Sequence, residues 1–420
     1  MEELPAGSAR ELVAALGDRA RRAARRLATV PTAVKDDALR RAAALLRARA
    51  PELIRANAAD LDAAARSGTA GALLDRLRLD AAGVDAMAAA CEAIAAQPDP
   101  VGRIERLERR PNGLLVGRKR IPLGVIAIIY EARPNVTADA AALCVKAGNA
   151  VILRGGSEAL RSNQAIAAVL ADAFESLPAH AVQVVPTADR DVVLELVRAT
   201  DHVDLAIPRG GEALIRLVTE NARVPVIQHY RGNCHVYVDA SADLDMALAI
   251  VDNAKRQRPG VCNAAETLLV HRDVAAELLP RLRARLPDVE LRGDAAARAL
   301  LPGIAAASEE DWKTEYLALI LAVGVVKDLD EAIDHIERWG SRHTEAIVTR
   351  DHARAMRFLE EVGSSTVVVN ASTRFADGGE LGLGAEIGIS TSRLHAYGPM
   401  GAEDLTTRKF VVMGDGHVRQ

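Results

Sequence analysis

The sequence predicts an α/β fold in which a helical layer precedes two series of alternating strands and helices. From Ala9 to about Gln97, apolar residues recur at three- and four-residue spacing, which is typical of amphipathic helices. Short apolar runs then alternate with helical stretches, a pattern that favours a mostly parallel, doubly wound sheet. Ligands bind at the carboxyl ends of such strands. With 420 residues, half of them hydrophobic, the chain is long enough for two or three domains.

The helical layer is expected to break near Pro31, Pro51 and Gly68. A hairpin is predicted next, because the stretch RIERLERRPNGLLVGRKRIPLGV has two partly alternating segments on either side of Asn112-Gly113.

The two series of strands follow the hairpin. The first comprises the runs VIAIIY, AVILRGG, AVQVVP, HVDLAIP and VPVIQH, with helices from Asn163 to Leu177 and from Asp189 to Ala199. The second begins after Tyr230 with CHVYVD, ETLLVH, LALILAVGVV, EAIVT and STVVVN. The final run KFVVMGDGH has no obvious partner, and with the hairpin we expect it to extend a sheet across a subunit boundary.

Composition excludes several classes of function. The net charge of −4 argues against general polyanion binding, and the basic run from Arg19 is more typical of a solvated helix face than of a nucleic-acid contact. The apolar runs fall short of the roughly 20 residues that span a membrane. Four widely spaced cysteines and the lack of a leader at Met1 favour a reduced, cytoplasmic protein without disulfides.

Cys262 lies in a polar Pro-Gly turn that leads into an apolar run, RPGVCNAAETLLVH. A turn of this kind can expose a catalytic thiol, and Arg258 nearby supplies positive charge that favours the thiolate. A small buried side chain is the usual role of a cysteine, so local context leaves both interpretations open.

Two glycine pairs follow predicted strands and precede helices. Arg154, Gly155, Gly156 and Ser157 form one loop, and Arg209, Gly210 and Gly211 form the other. Backbone N–H groups at a helix start, together with a guanidinium, suit a phosphate, although tight-turn chemistry explains such glycines equally well.

YEARPNVTADAAA places Arg133, Asn135 and Thr137 at another strand end. Asn135 can cap the following helix or direct its amide at a developing oxyanion. His229 and His235 flank the HYRGNCH turn without metal-ligand spacing, so we predict no metal site.

The longest of these motifs together resemble the gamma-glutamyl phosphate reductases, or glutamate-5-semialdehyde dehydrogenases, of the aldehyde dehydrogenase superfamily. The resemblance runs over nearly the whole chain, through ARPNVTADAAALCVKAGNAVILRGGSEA, IPRGG, GNCHVYVD, RPGVCNAAETLLVH, TEYLALIL, HTEAIVT, NASTRFADGGELGLGAEIGIS and LTTRKF. It implies an aldehyde dehydrogenase-like fold with a Rossmann-type cofactor domain, an α/β catalytic domain and a small oligomerisation sheet. The implied domains are 1–105 and 122–229 with 376–396 for NADPH, 230–375 for catalysis, and 106–121 with 397–420 for oligomerisation.

The resemblance also implies roles for individual residues. Cys262 matches the nucleophile and Asn135 the oxyanion-hole asparagine. The loop that begins at Arg154 falls where the adenosine ribose and its phosphate bind, and the loop that begins at Arg209 falls near the pyrophosphate. Glu315 matches the glutamate that orients the nicotinamide ribose. Arg133, Arg258 and Arg374 are the candidates for the anionic groups of the substrate.

The implied reaction is the NADPH-dependent reduction of L-glutamyl 5-phosphate to L-glutamate 5-semialdehyde, the second step of proline biosynthesis from glutamate. Hydrolytic relatives carry a glutamate before the catalytic domain, but no carboxylate lies between Val226 and His235. The alternatives are an ordinary aldehyde oxidation and a catalytically silent relative. A homo-oligomer and a functional association with glutamate 5-kinase are also expected. Four residues depart from the family's pattern: Tyr397, Arg342, Ala318 and Gly324.

Overall fold

The computed structural model describes residues 7–68 and 72–419, which divide into two compact units. The first unit holds the described residues up to Gln228, Gly382–Gly388, and those from Met400 onward. The second holds His229–Leu381 and Ile389–Pro399. The cofactor, catalytic and oligomerisation roles expected of the domains stay predictions.

Helices open the first unit, as the apolar spacing predicts: α1 (Ala9–Leu27), α2 (Thr32–Ala48), α3 (Ala50–Arg66), α4 (Ala72–Leu77) and α5 (Ala81–Ala96). The start of α1 is fixed by a capping box, in which the Ser8 side chain accepts from the Glu11 N–H and the Glu11 side chain accepts from the Ser8 N–H. Pro51 stands in the first turn of α3, where its missing N–H costs no helical hydrogen bond.

A four-stranded parallel sheet follows the predicted hairpin. The elements in chain order are β1 (Ile104–Arg109), β2 (Leu115–Pro122), β3 (Val125–Tyr130), α6 (Asn135–Lys146), β4 (Ala150–Gly155), α7 (Leu160–Ala173), β5 (Val182–Val184), α8 (Asp191–Arg198), β6 (Leu205–Arg209) and α9 (Glu212–Asn221). The sheet order is β5-β4-β3-β6. All six residues of the central strand β3 are buried, which explains its continuous apolar run. The run VPVIQH is not a strand: only Val226 forms a bridge, to Ala206, because Pro225 has no N–H for a ladder.

A seven-stranded parallel sheet forms the second unit. Its elements are β7 (Cys234–Val238), α10 (Leu244–Arg256), β8 (Ala265–His271), α11 (Arg272–Arg285), β9 (Glu290–Gly293), α12 (Ala295–Leu300), β10 (Ala305–Ala306), α13 (Glu309–Lys313), β11 (Ile320–Val326), α14 (Leu329–Trp339), β12 (Thr344–Val348), α15 (His352–Glu361) and β13 (Thr366–Val369). The order is β10-β9-β11-β8-β7-β12-β13. The five predicted strands are present, whereas β9 and β10 were missed because neither is an apolar run of strand length.

The chain ends with β14 (Gly388–Ser390), β15 (Gly398–Met400) and β16 (Thr406–Met413). The last strand pairs antiparallel with β2, from Thr406 opposite Pro122 to Met413 opposite Leu115, so the hairpin is its partner within the same chain. The resulting sheet has the order β1-β2-β16. Within the described residues, no helix is both long enough and apolar enough to cross a membrane.

Candidate active site

Cys262 lies in the irregular segment between α10 and β8. The strands β8, β7 and β12 are neighbours in the sheet, and Cys262, Gly232 and His343 each lie just before one of them. The cysteine therefore sits at the amino ends of the strands of the second unit.

The backbone of Cys262 is held closely by the turn before β7. The Cys234 thiol donates to the Cys262 carbonyl at 3.1 Å. A Cβ built on Gly232 would lie only 1.8 Å from that carbonyl oxygen, so no other residue fits there without moving the backbone. On the other side, the Asn263 amide donates to the Ala376 carbonyl at 2.9 Å. The thiol is thus carried by a segment fixed from two directions.

Cys262 differs from the other three cysteines in its access to solvent. Cys91, Cys144 and Cys234 are buried, whereas Cys262 is half-buried. Burial raises the pKa of Cys91 to about 12 and also raises the pKa values of Cys144 and Cys234. A reactive thiolate must be accessible, so the structure favours Cys262 over the other three.

A buried ion pair ties together the two ends of the segment that carries the cysteine. Lys255 Nζ, near the end of α10, lies 2.5 Å from Glu266 Oε2, the second residue of β8, and both side chains are fully buried. Burial lowers the pKa of Lys255 and raises the pKa of Glu266 to about 7, while each partner's charge opposes the shift. Glu315 adds a negative charge close to this pair.

Two of the predicted substrate arginines also lie near the cysteine. Arg374 Nε donates to the Gln257 side chain at 2.8 Å. Burial lowers the pKa of Arg374, Arg258 lowers it further, and the carboxylate of Asp377 and the thiol of Cys262 oppose this. The structure thus brings Arg258, Arg374 and Cys262 into one electrostatic neighbourhood.

Two histidines that sequence reasoning did not connect with Cys262 lie beside it. One ligand atom of each of His229, Cys262 and His343 lies within 4.8 Å of the others. The two imidazole rings meet edge to face, with centroids 5.6 Å apart. Because the three residues are far apart in sequence, no spacing motif could have revealed the cluster.

In the first unit, three predicted loops begin side by side at the carboxyl ends of their strands. Tyr130 is in register with Gly155 on one side and with Arg209 on the other. Glu131, directly after β3, reaches the second loop, where its carboxylate accepts from the Gly211 N–H at 2.9 Å. A carboxylate of the chain itself therefore occupies the start of α9, which shows that this position accepts an anion.

The first glycine loop is tightly packed. Arg154 is buried, and its guanidinium donates to the carbonyls of Ala188, at 2.8 Å, and Asp189. A Cβ on Gly155 would meet the Asn163 amide at 2.0 Å, so this glycine permits the close approach of α7. Ser157 is exposed at the start of the turn that leads into α7.

The second glycine loop carries a further ion pair. Arg209 lies 3.4 Å from Glu386, with both side chains mostly buried. Gly210 lies so close to Glu131 that a Cβ would come within 2.4 Å of its carboxylate.

Asn135 is not a helix cap. Pro134 occupies the N-cap position of α6, and Asn135 is the first helical residue, with an exposed side chain. Its amide donates to Asp139 Oδ2, one turn along the helix, at 2.9 Å. Desolvation raises the pKa of Asp139 to about 6, against the effects of Asn135 and Arg209. The contact between Asp139 and Asn135 was not predicted from the sequence, although the i, i+4 spacing of the two residues was visible. Arg133 is half-buried just before this helix.

The structure shows the local conformation or contacts of three residues that depart from the family's pattern. Arg342 has φ of 61°, a left-handed conformation that glycine adopts without strain. The Tyr397 hydroxyl donates to the Gly363 carbonyl. Gly324 packs against Leu269 and Trp312, and a Cβ there would approach Leu269 to 3.2 Å.

Comparisons with known proteins agree with this architecture. The model described as the aldehyde dehydrogenase family matches residues 1–308. The gamma-glutamyl phosphate reductase of Geobacter metallireducens is 60% identical over 405 residues, which cover 96% of this chain and 97% of the relative. The protein of the same name from Sorangium cellulosum is 59% identical over 413 residues, covering 96% and 97%.

Solved structures give the same result. The crystal structure of the gamma-glutamyl phosphate reductase of Thermotoga maritima superimposes with a TM-score of 0.93 at 45% identity, covering 97% of this chain and 100% of that one. An acetylating aldehyde dehydrogenase from Geobacillus thermoglucosidasius shares the fold at a TM-score of 0.70 and 16% identity. The predicted fold class is thereby confirmed, and the chain belongs to the aldehyde dehydrogenase family and, within it, to the gamma-glutamyl phosphate reductases.

Proposed function

We propose that the protein catalyses the NADPH-dependent reduction of L-glutamyl 5-phosphate to L-glutamate 5-semialdehyde and phosphate, through a thioester on Cys262. This is the second step of proline biosynthesis from glutamate. Relatives named gamma-glutamyl phosphate reductase, one of them 60% identical to this chain, support the substrate. The mechanism is supported by one observation above all: Cys262 is half-buried in a turn held by hydrogen bonds, whereas the other three cysteines are buried.

The chemistry begins with the Cys262 thiolate. It attacks the γ-carbonyl carbon of the acyl phosphate, a C–S bond forms, and the C–O bond to phosphate breaks. When bound, the cofactor supplies the hydride that reduces the thioester. Collapse of the resulting thiohemiacetal breaks the C–S bond and restores the thiolate. The fixed backbone around Cys262 holds the sulfur in one place through both steps.

Asn135 is the proposed side-chain donor to the oxyanion. Its amide carries two donor hydrogens, and the hydrogen bond to Asp139 uses one of them. That contact fixes the rotamer of the amide while leaving the second hydrogen for substrate. A backbone N–H near Cys262 is the proposed second donor.

The two glycine loops fit a dinucleotide. The strand ends at Gly155 and Arg209 flank Tyr130, and the Gly211 N–H already holds a carboxylate. Among the residues that the structure describes, the buried Nε atoms of Arg154 and Arg209 have no hydrogen-bond partner. We assign the ribose and its phosphate to Arg154, Gly155, Gly156 and Ser157, the pyrophosphate to Arg209, Gly210 and Gly211, and the nicotinamide ribose to Glu315.

The anionic groups of the substrate are assigned to arginines. Arg258 and Arg374 provide positive charge in the neighbourhood of Cys262, which suits the departing phosphate and the α-carboxylate. Arg133, at the loop before α6, is the third candidate.

Thioester hydrolysis is disfavoured by the absence of a carboxylate between Val226 and His235. Without a base to activate water, phosphate is the better partner for the thioester in the reverse direction. This distinguishes the proposed reaction from an aldehyde oxidation that ends in a carboxylic acid.

A homo-oligomer built through the β1-β2-β16 sheet is also proposed. Apolar side chains on this sheet are exposed, among them Phe410 at 67% and Val412 at 55%. Replacing both with glutamate should reduce the mass measured by light scattering if they form the interface. A cytoplasmic setting and a functional association with glutamate 5-kinase agree with a labile acyl phosphate substrate.

The test runs the reaction backwards with glutamate 5-semialdehyde and NADP⁺, with and without phosphate, and follows NADPH absorbance. We expect NADPH only when phosphate and Cys262 are both present, and none from Cys262→Ala. Phosphate-independent formation of glutamate would mean that water cleaves the thioester. No turnover in any condition would favour a silent relative.

A further inference from the structure

The cluster of His229, Cys262 and His343 has the composition of a transition-metal site. It offers one thiolate and two imidazoles, with ligand atoms within 4.8 Å of one another. Thiolate and imidazole together are typical ligands of Zn²⁺. No metal role follows from the proposed reaction, which needs the thiolate as a nucleophile.

In both histidines Nδ1 lies within hydrogen-bonding distance of an oxygen, which suits metal binding through Nε2 of each ring. His229 Nδ1 lies 3.1 Å from the Ile389 carbonyl oxygen, and His343 Nδ1 lies 2.9 Å from Thr344 Oγ1. Metal-binding histidines commonly engage an oxygen through the nitrogen that does not bind the metal, which fixes the tautomer and the ring orientation. We therefore assign Nε2 of each ring to the metal.

The three residues come from segments that the fold holds together. His343 is 1% exposed and directly precedes β12. Cys262 is fixed through its carbonyl by Cys234, whose thiol also lies 3.7 Å from His343 Nδ1. Tetrahedral zinc with ligand bonds of about 2.0–2.3 Å places its ligand atoms about 3.5 Å apart. Side-chain rotations that shorten the distances between the ligand atoms by roughly 1 Å would complete the site. Water would take the fourth position of the tetrahedral metal.

The geometry points to a zinc-class metal site formed by Cys262 Sγ, His229 Nε2 and His343 Nε2, in which the metal reversibly caps the cysteine. A thiolate bound to zinc shares its lone pair with the metal and is a weaker nucleophile, so metal occupancy should inhibit attack on the acyl phosphate. The capping rests on the proposed role of Cys262, whereas metal binding itself rests on the geometry alone. This departs from the sequence-based prediction of no metal.

The experiment separates these two claims. Co²⁺ is added to the purified protein without substrate, and absorption is recorded for a thiolate-to-cobalt charge-transfer band and the d–d bands of tetrahedral cobalt. We expect both from wild type and from His352→Gln, a control on an exposed histidine at the start of α15. The charge-transfer band should vanish in Cys262→Ser.

The histidine variants test the other two ligands. His229→Gln and His343→Gln should each weaken Co²⁺ affinity at least tenfold, and His229 keeps the test informative if the buried His343 variant fails to fold. In turnover assays, Zn²⁺ should inhibit wild type and His352→Gln, EDTA should restore activity, and His229→Gln should need at least tenfold more Zn²⁺. Absence of the charge-transfer band in wild type, or equal affinity in wild type and His229→Gln, would overturn the site. Co²⁺ binding without phosphate-dependent turnover would instead refute the proposed function and leave the site standing.

Discussion

Gly232→Ala is the sharpest test of how the fold positions the nucleophile. The new Cβ would lie 1.8 Å from the Cys262 carbonyl oxygen, 2.5 Å from its carbonyl carbon and 2.6 Å from its Cα. To reach an ordinary contact of 3.4 Å, the methyl group and the oxygen must separate by about 1.6 Å. Overpacking of this kind costs about 1–3 kcal/mol of unfolding free energy. Displacement of a reacting atom by about 1 Å costs on the order of 100-fold in turnover.

The matched control lies in the same turn as the cysteine. Among the described residues, a Cβ on Gly260 would meet the Leu317 carbonyl oxygen alone, at 4.0 Å, so Gly260→Ala should be close to wild type. Both variants are compared by chemical denaturation and by phosphate-dependent NADPH formation. The alkylation rate of Cys262 gives a readout that does not depend on the cofactor. Wild-type turnover and stability in Gly232→Ala would refute the claim that this close approach positions the thiol.

Three further predictions test other parts of the structure. Asp139→Asn should abolish a pH dependence of stability. Because the pKa of Asp139 is raised to about 6, the folded state binds a proton more tightly than the unfolded state, and wild type loses stability as pH rises from about 4 to 6. Above pH 6, denaturant titrations should show the variant to be more stable than wild type by at most about 3 kcal/mol. Arg342→Gly should be more stable than Arg342→Ala by about 1 kcal/mol, because both remove the charge but only glycine relieves the strain at φ of 61°, and equal melting temperatures would contradict this. Lys255→Met should lose about 3–5 kcal/mol by leaving Glu266 buried without its partner, and Lys255→Met with Glu266→Leu should recover much of the loss.

The fold was largely predictable because its strongest signals are local. The buried strand β3 is a continuous apolar run, and the predicted alternation of strands and helices is present in both units. The missed strands β9 and β10 are short and lack an apolar run of their own. They are strands because they pair with neighbouring strands, which no local sequence pattern predicts. The segment VPVIQH was wrongly predicted to be a strand because it is apolar. Pro225 has no N–H and prevents a regular ladder of hydrogen bonds.

The candidate site was predictable only in part from residues alone. The turn at Cys262 left catalysis and burial both open, and only the resemblance of the long motifs to the family favoured catalysis. Of the two roles open to Asn135, capping is wrong, because Pro134 occupies the N-cap position and the Asn135 amide donates to Asp139. The approach of His229 and His343 to Cys262 depends on sheet order, which no local pattern encodes.

A single-turnover experiment tests whether Cys262 carries the acyl group as a thioester after hydride transfer and before transfer to phosphate. Enzyme is mixed with glutamate 5-semialdehyde and NADP⁺ without phosphate, stopped in acid during the first turnover, and digested for mass spectrometry. Acid prevents the substrate's amine from cyclising onto the thioester. We expect one NADPH per subunit and a glutamyl adduct on the peptide that contains Cys262, and this adduct should disappear when phosphate is added before the acid. An NADPH burst with an unmodified Cys262 peptide would contradict this expectation.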